Sequence, residues 1–146
     1  MKKIKFIIGC LHFIGSFACS FKKESSVKNI KDLDENMIDL RMYHELMGDE
    51  LRAGDIQDAR WFLTGMDSIL QIVSSKFDTH RKLDEPFQKS YERNLKPALE
   101  TLEDRLEKND LNASKEAYVL LTQKCNGCHK DNDIDKVVQN WLNRGQ

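Results

Sequence analysis

Apolar side chains recur at steps of three and four residues along most of this chain, and this spacing restricts its fold more than any other feature. The first such stripe consists of Met37, Leu40, His44, Met47 and Leu51. A spacing of this kind places side chains on one face of an α-helix and leaves the charged residues on the other face. Since the chain contains only two prolines and seven glycines, we predict an all-α protein.

Turn residues divide the amphipathic part of the chain into four helices. Gly54 ends the first helix, and Asp55 should cap the second. Pro97 falls inside the third apolar stripe, where it should kink or split the helix because it lacks a backbone donor. A turn at residues 109–112 precedes the fourth helix. Short connections predict an antiparallel four-helix bundle, with helices over about residues 37–51, 56–77, 87–106 and 113–128.

The tail has the same periodicity over a short span. Its apolar residues are Ile134, Val137, Val138, Trp141 and Leu142. Their spacing predicts a short additional C-terminal helix that docks on the bundle.

The N-terminus has the features of a signal peptide. Lys2, Lys3 and Lys5 precede an apolar stretch, residues 6–17, that is too short to span a bilayer. We therefore predict export, with residues 1–18 removed. That cleavage takes away three lysines and no acidic residue, so the net charge falls from −1 to −4. This balance argues against nucleic acid as a partner.

Cys19 follows directly after the predicted cleavage point. The segment GSFAC, residues 15–19, is similar to the lipidation signal of bacterial lipoproteins. We predict lipidation of Cys19, a polar tether over residues 19–32 and a folded domain over residues 33–146. Plain secretion and a retained anchor are the alternatives, so the mature protein is expected to be periplasmic or membrane-anchored.

Two cysteines remain in the domain, and they lie in the sequence KCNGCHK. Cys125, Cys128 and His129 match C-x-x-C-H, the pattern of covalent c-type haem attachment. Two cysteines three residues apart in a helix can reach the two vinyl groups of one haem edge. The adjacent histidine then serves as the proximal ligand of the iron. The motif predicts one covalently attached haem c.

A disulfide and a zinc site account for the motif less well than haem does. A Cys125–Cys128 disulfide leaves His129 unexplained, and the chain lacks the βαβ pattern of thioredoxin-like proteins. A zinc site would need four ligands, and the mature chain offers only His44, His80 and carboxylates besides the motif. We interpret His80, which lies in a charged connection, as a solvated residue.

A family resemblance supports the haem interpretation. The segment AYVLLTQKCNGCH, residues 117–129, resembles the haem-binding helix of the cytochrome c-prime and cytochrome c-556 group. The segment HELM, residues 44–47, resembles the part of the first helix that faces the distal side of the haem in that group. The resemblance extends over about residues 34–129. It implies a monohaem c-type cytochrome with a four-helix bundle.

The sixth position of the iron separates the functions that we consider. His44 lies on an apolar stripe, where a histidine needs a partner. It could be a hydrogen-bonded core residue or the distal iron ligand, and Met47 or Met37 could ligate instead. A sixth position that a side chain occupies predicts electron transfer. A five-coordinate iron predicts binding of nitric oxide or carbon monoxide. A haem-free lipoprotein interaction module with a Cys125–Cys128 disulfide is a third hypothesis.

Enzymatic activity is not predicted, because no nucleophile and base are paired in the sequence. Electron transfer would require a redox partner protein, which no motif identifies. Bundles of this type often pair through their first two helices, so a homodimer that uses Trp61 is a further expectation.

Overall fold

The computed structural model describes residues 32–77, 83 and 85–144, and this part of the chain contains helices and turns but no strand. The predicted all-α class is confirmed, and four helical segments pack together. The third of these segments is formed by α3, a π-helical turn and α4 in direct succession. The elements are α1 (Leu33–Ala53), α2 (Ile56–Lys76), α3 (Phe87–Ser90), the π-helical turn (Tyr91–Leu95), α4 (Lys96–Glu107), α5 (Leu111–Asp131) and a 3-10 turn (Trp141–Asn143).

A reciprocal pair of hydrogen bonds caps the start of the first helix. The Asp32 carboxylate accepts a hydrogen bond from the Glu35 N–H at 2.8 Å, and the Glu35 carboxylate accepts one from the Asp32 N–H at 3.1 Å. This reciprocal arrangement satisfies two N–H groups at the start of α1. Asp32, predicted as the end of the tether, is therefore the cap of the first helix.

Several predictions fall on residues that are not described. The signal peptide (residues 1–18), Cys19 and His80 all lie outside the described residues. Within the described part of the chain, no helix combines the length and the apolar character that crossing a bilayer requires.

Local signals fix the two short connections. Gly54 has a φ of 90° at the end of α1, a left-handed conformation that glycine adopts without steric cost. Asp55 then caps α2 by accepting from the Asp58 N–H at 3.0 Å. Asp110 caps α5 in the same way through the Ala113 N–H at 3.0 Å. Because α5 begins at Leu111, the predicted turn ends before residue 112.

Pro97 interrupts the third helix, as the sequence predicts. It occupies the first turn of α4, directly after the π-helical turn. The Lys96 N–H donates to the Tyr91 carbonyl, one residue further back than in an α-helix. A π-helical turn of this kind accommodates a residue that has no N–H to donate.

Each of the four helical segments packs against two of the others. Packed pairs are α1 with α2, α2 with α4, α4 with α5, and α1 with α5. The stripe predicted for the first helix is buried at Leu40, His44, Met47 and Leu51. The sequence periodicity therefore identified the core-facing side of α1.

The predicted C-terminal helix is wrong over most of its length. Residues 134–140 are not helical, and only the single 3-10 turn at residues 141–143 follows. The backbone of this segment is bonded to α5 instead, since Asn126 binds the N–H and the carbonyl of Val138. Trp141 and Leu142 still pack against the core, as their apolar character implied.

Candidate haem-attachment site

The C-x-x-C-H motif occupies the last two turns of α5. This helix ends at Asp131 with Asn132 as its cap, and the next residue, Asp133, has a φ of 50°. The Ile134 N–H donates back to the His129 carbonyl at 2.9 Å. The chain that follows the helix thus turns back toward the motif. Within the motif, Gly127 is exposed and Cys128 is buried.

Both motif cysteines are free thiols in this structure. Cys125 packs against the hydrophobic core, and Cys128 accepts a hydrogen bond from the Ser90 hydroxyl at 3.3 Å. Burial raises the pKa of Cys125 to about 12, and burial also raises the pKa of Cys128. Thiol exchange depends on a lowered pKa that produces thiolate. The environment therefore does not favour a redox-active disulfide.

His129 is oriented by the chain that follows the helix. Its Nδ1 lies 2.6 Å from the carbonyl oxygen of Lys136. A carbonyl can only accept, so Nδ1 carries the proton and, in a neutral ring, Nε2 carries the lone pair. Within the described residues, Nε2 forms no hydrogen bond. His129 thus has the tautomer that a metal-ligating histidine needs.

His44 is buried with only 2% of its surface exposed and has partners on α5 at both ring nitrogens. Nε2 lies 2.8 Å from the Thr122 hydroxyl, and Nδ1 lies 3.1 Å from the Tyr118 hydroxyl. The His44 and Tyr118 rings also stack, with centroids 4.6 Å apart. This contact joins α1 to the helix that carries the motif.

The proton positions in this network follow from the one hydrogen of each hydroxyl. Thr122 donates its hydrogen to the Tyr118 carbonyl at 2.9 Å, so it accepts from His44 and Nε2 must carry the proton. The Tyr118 hydroxyl then faces the lone pair of Nδ1 and the His44 carbonyl, each at 3.1 Å. Burial lowers the pKa of His44 from 6.5 to about 4, which keeps the ring neutral at neutral pH.

His44 is therefore a hydrogen-bonded core histidine in this structure, the first of the roles that the sequence left open for it. Its single lone pair faces the Tyr118 hydroxyl, so ligation of iron by His44 would require this network to open. The other distal candidates differ in burial: Met47 is completely buried, whereas Met37 is partly buried at the edge of the core.

The donor set fits haem c at the proximal side. Two thiols three residues apart lie on one helix, next to an imidazole whose Nε2 is free to ligate. These are the groups that form two thioether bonds and one iron bond in c-type attachment. The residues that would hold haem c are therefore Cys125, Cys128 and His129.

Sequence reasoning missed three residues of the site. Tyr118 and Thr122 lie four residues apart, one turn of α5, and their hydroxyls face a histidine on another helix. Their polar character within a buried stripe was a usable signal. Asn126 occupies a variable position of the motif, and no local pattern marks it as the partner of Val138.

No family model, curated protein or solved structure matches this chain.

Proposed function

We propose that this chain is an exported monohaem c-type cytochrome that transfers electrons. The observation that carries the proposal is the orientation of His129 within the C-x-x-C-H motif, with Nδ1 bonded to a carbonyl and Nε2 free. Cys125 and Cys128 hold haem c through thioether bonds, and His129 Nε2 is the proximal ligand. When bound, haem c supplies one-electron chemistry between ferric and ferrous iron.

Electron transfer is favoured by the position of the motif near the protein surface. Gly127 and Lys130 are exposed on the last turns of α5, so a redox partner protein can approach this end of the helix. On the inner side of the helix, Cys125 packs against the apolar core and Cys128 is buried.

The bundle that holds the site is proposed to be antiparallel. Arg60, near the start of α2, donates to the Leu106 carbonyl near the end of α4 at 2.6 Å. Asp67, further along α2, accepts from Tyr91, which precedes α4, at 3.3 Å. The two contacts run in opposite directions along the two helices, as antiparallel neighbours require.

Binding of a small gas is the second candidate function. It is favoured by the hydrogen bonds of His44 to Thr122 and Tyr118, since a histidine engaged in this way leaves the sixth position of the iron open. In this case nitric oxide or carbon monoxide would be the ligand class.

Export and anchoring complete the proposal. The predicted signal peptide directs the chain to the periplasm, and lipidation of Cys19 attaches it to a membrane surface. Pairing of two copies through α1 and α2 is also proposed, and Trp61 is exposed over 63% of its surface on α2.

Optical spectra of the full-length chain test the proposal after expression in an exporting host with c-type maturation. Wild type should show the Soret and α bands of haem c, and a chain without these bands would refute the proposal. A low-spin spectrum that becomes high-spin in His44→Ala identifies His44 as the sixth ligand. Thr122→Val is the matched control, because it disturbs the same network but keeps the imidazole. High-spin spectra throughout would favour gas binding.

A further inference from the structure

The segment after α5 is held in a fixed register along the motif. We call residues 134–144 the C-terminal strap. Asn126 accepts from the Val138 N–H at 2.7 Å and donates to the Val138 carbonyl at 2.9 Å. Both polar backbone groups of one strap residue are thus paired with one side chain. An amide is suited to this because it offers a donor and an acceptor side by side.

This register places a particular carbonyl against His129. Lys136 lies two residues before Val138, and its carbonyl oxygen is the partner of Nδ1. The side chain of Lys136 is exposed, so the contribution of this residue comes from its backbone. Asn126 therefore acts on His129 through the strap, because its side chain bonds the Val138 backbone and not the imidazole.

The far end of the strap is fixed to α1. Trp141 donates its indole N–H to Asp49 at 3.1 Å, and Arg52 donates to the Trp141 carbonyl at 3.2 Å. Gly48 lies beneath this contact, since a Cβ added there would come within 2.6 Å of the Trp141 Cβ. The glycine thus allows the strap to lie close to α1. These contacts hold the strap at a second point, on a different helix from the one that carries the motif.

We propose that the C-terminal strap is a positioning element for the proximal ligand, with Asn126 and Trp141 as its positioning residues. This inference rests on the proposed haem function. The strap presents the Lys136 carbonyl to Nδ1, which fixes the tautomer and the ring orientation of His129. A histidine that donates to a carbonyl is also a more basic ligand. A more basic imidazole donates more electron density to the iron, which stabilises the ferric state and lowers the reduction potential.

The test compares Asn126→Ala and Trp141→Ala with Val137→Ala in the full-length chain. Val137 is a matched control on the same strap, because 72% of its surface is exposed. Two quantities are measured: the ¹⁵N chemical shifts of the His129 ring in the haem-free chain, and the reduction potential of the haem-loaded protein. Circular dichroism checks that the helix content is retained.

We expect both strap variants to lose the fixed Nδ1–H tautomer, while wild type and Val137→Ala retain it. At a fixed potential the ratio of ferric to ferrous protein should fall about tenfold, which is about 59 mV for one electron. If Asn126→Ala does not fold, Asn126→Leu replaces it, since leucine keeps the branching at Cγ, adds no charge and forms neither hydrogen bond to Val138.

The outcomes separate the two proposals. The positioning role is overturned if the variants show unchanged His129 shifts in the haem-free chain and an unchanged reduction potential after haem loading. The haem function would then still stand. A lower stability alone, without these changes, would overturn the positioning role as well, because a purely structural cover predicts that result. A wild-type chain that carries no haem would refute the proposed function, and the role of the strap with it.

Discussion

The Nε2 of His44 lies 2.8 Å from the hydroxyl of Thr122, a residue 78 positions away on the helix that carries the motif. This bond is buried and directional, because the Thr122 hydroxyl donates its own hydrogen to the Tyr118 carbonyl. It therefore fixes the tautomer of His44 and ties α1 to α5.

Removing the hydroxyl of Thr122 should destabilise the fold. Thr122→Val keeps the volume of the side chain but leaves the buried His44 N–H without its partner, which typically costs about 1–3 kcal/mol. Urea denaturation of the purified protein measures this loss. Thr122→Ser retains the oxygen and serves as the control, so equal losses in both variants would contradict the role of the hydrogen bond.

Protonation of His44 at acidic pH should lower the free energy of unfolding. Its folded pKa is about 4, below the value of 6.5 that applies when the chain is unfolded. The unfolded chain therefore binds the proton more readily, and stability that is present above pH 6.5 is lost as the pH falls toward 4. A shift of this size corresponds to about 3 kcal/mol.

The measurement is the free energy of unfolding of wild type and His44→Gln, at neutral pH and near pH 4. Glutamine does not titrate, so the variant should lose less stability on acidification than wild type. Parallel losses in the two proteins would show that other groups carry the pH dependence.

The local elements of this fold could be predicted, whereas the contacts of the site could not. Spacing and backbone chemistry within a few residues determine these local elements. They are the core face of α1, the Gly54–Asp55 connection and the irregular helix before Pro97. The partners of His44 lie 74 and 78 residues away, and sequence periodicity carries no information about such pairs.

The strap illustrates how a local signal can mislead. Ile134 to Leu142 have helical spacing, yet Asn126 and His129 bind the backbone of this segment at Val138 and Lys136. Bonds to α5 replace the bonds that a helix would have made within the segment. The sequence therefore predicted that the tail docks but not the conformation in which it does so.

Adding a methyl group at Gly48 should disturb the docking of the strap. A Cβ at this position would lie 2.5 Å from the Tyr118 hydroxyl oxygen, so Gly48→Ala forces side chains apart at a typical cost of about 1–3 kcal/mol. Thermal or urea unfolding measures the effect. Gly127→Ala is the control: it lies on α5, a Cβ there meets nothing within 4 Å, and alanine should be neutral or slightly stabilising. Equal effects of the two changes would contradict the packing argument.

Cys19→Ala should release the protein from membranes if Cys19 carries the lipid. Fractionation of cells that express the full-length chain with its own N-terminus measures the distribution, and wild type provides the reference. A variant that stays in the membrane fraction would favour a retained anchor over lipidation.

The central claim is covalent haem on Cys125 and Cys128, and the intact mass of the denatured protein tests it most directly. The protein is produced by export in a host with c-type maturation, and free haem is extracted before the measurement. We predict the mass of the mature polypeptide with its Cys19 lipid plus one haem, and loss of the haem in the Cys125→Ser, Cys128→Ser double variant. A wild-type mass that lacks the haem, or that is also lower by the two hydrogens of a disulfide, would contradict the claim.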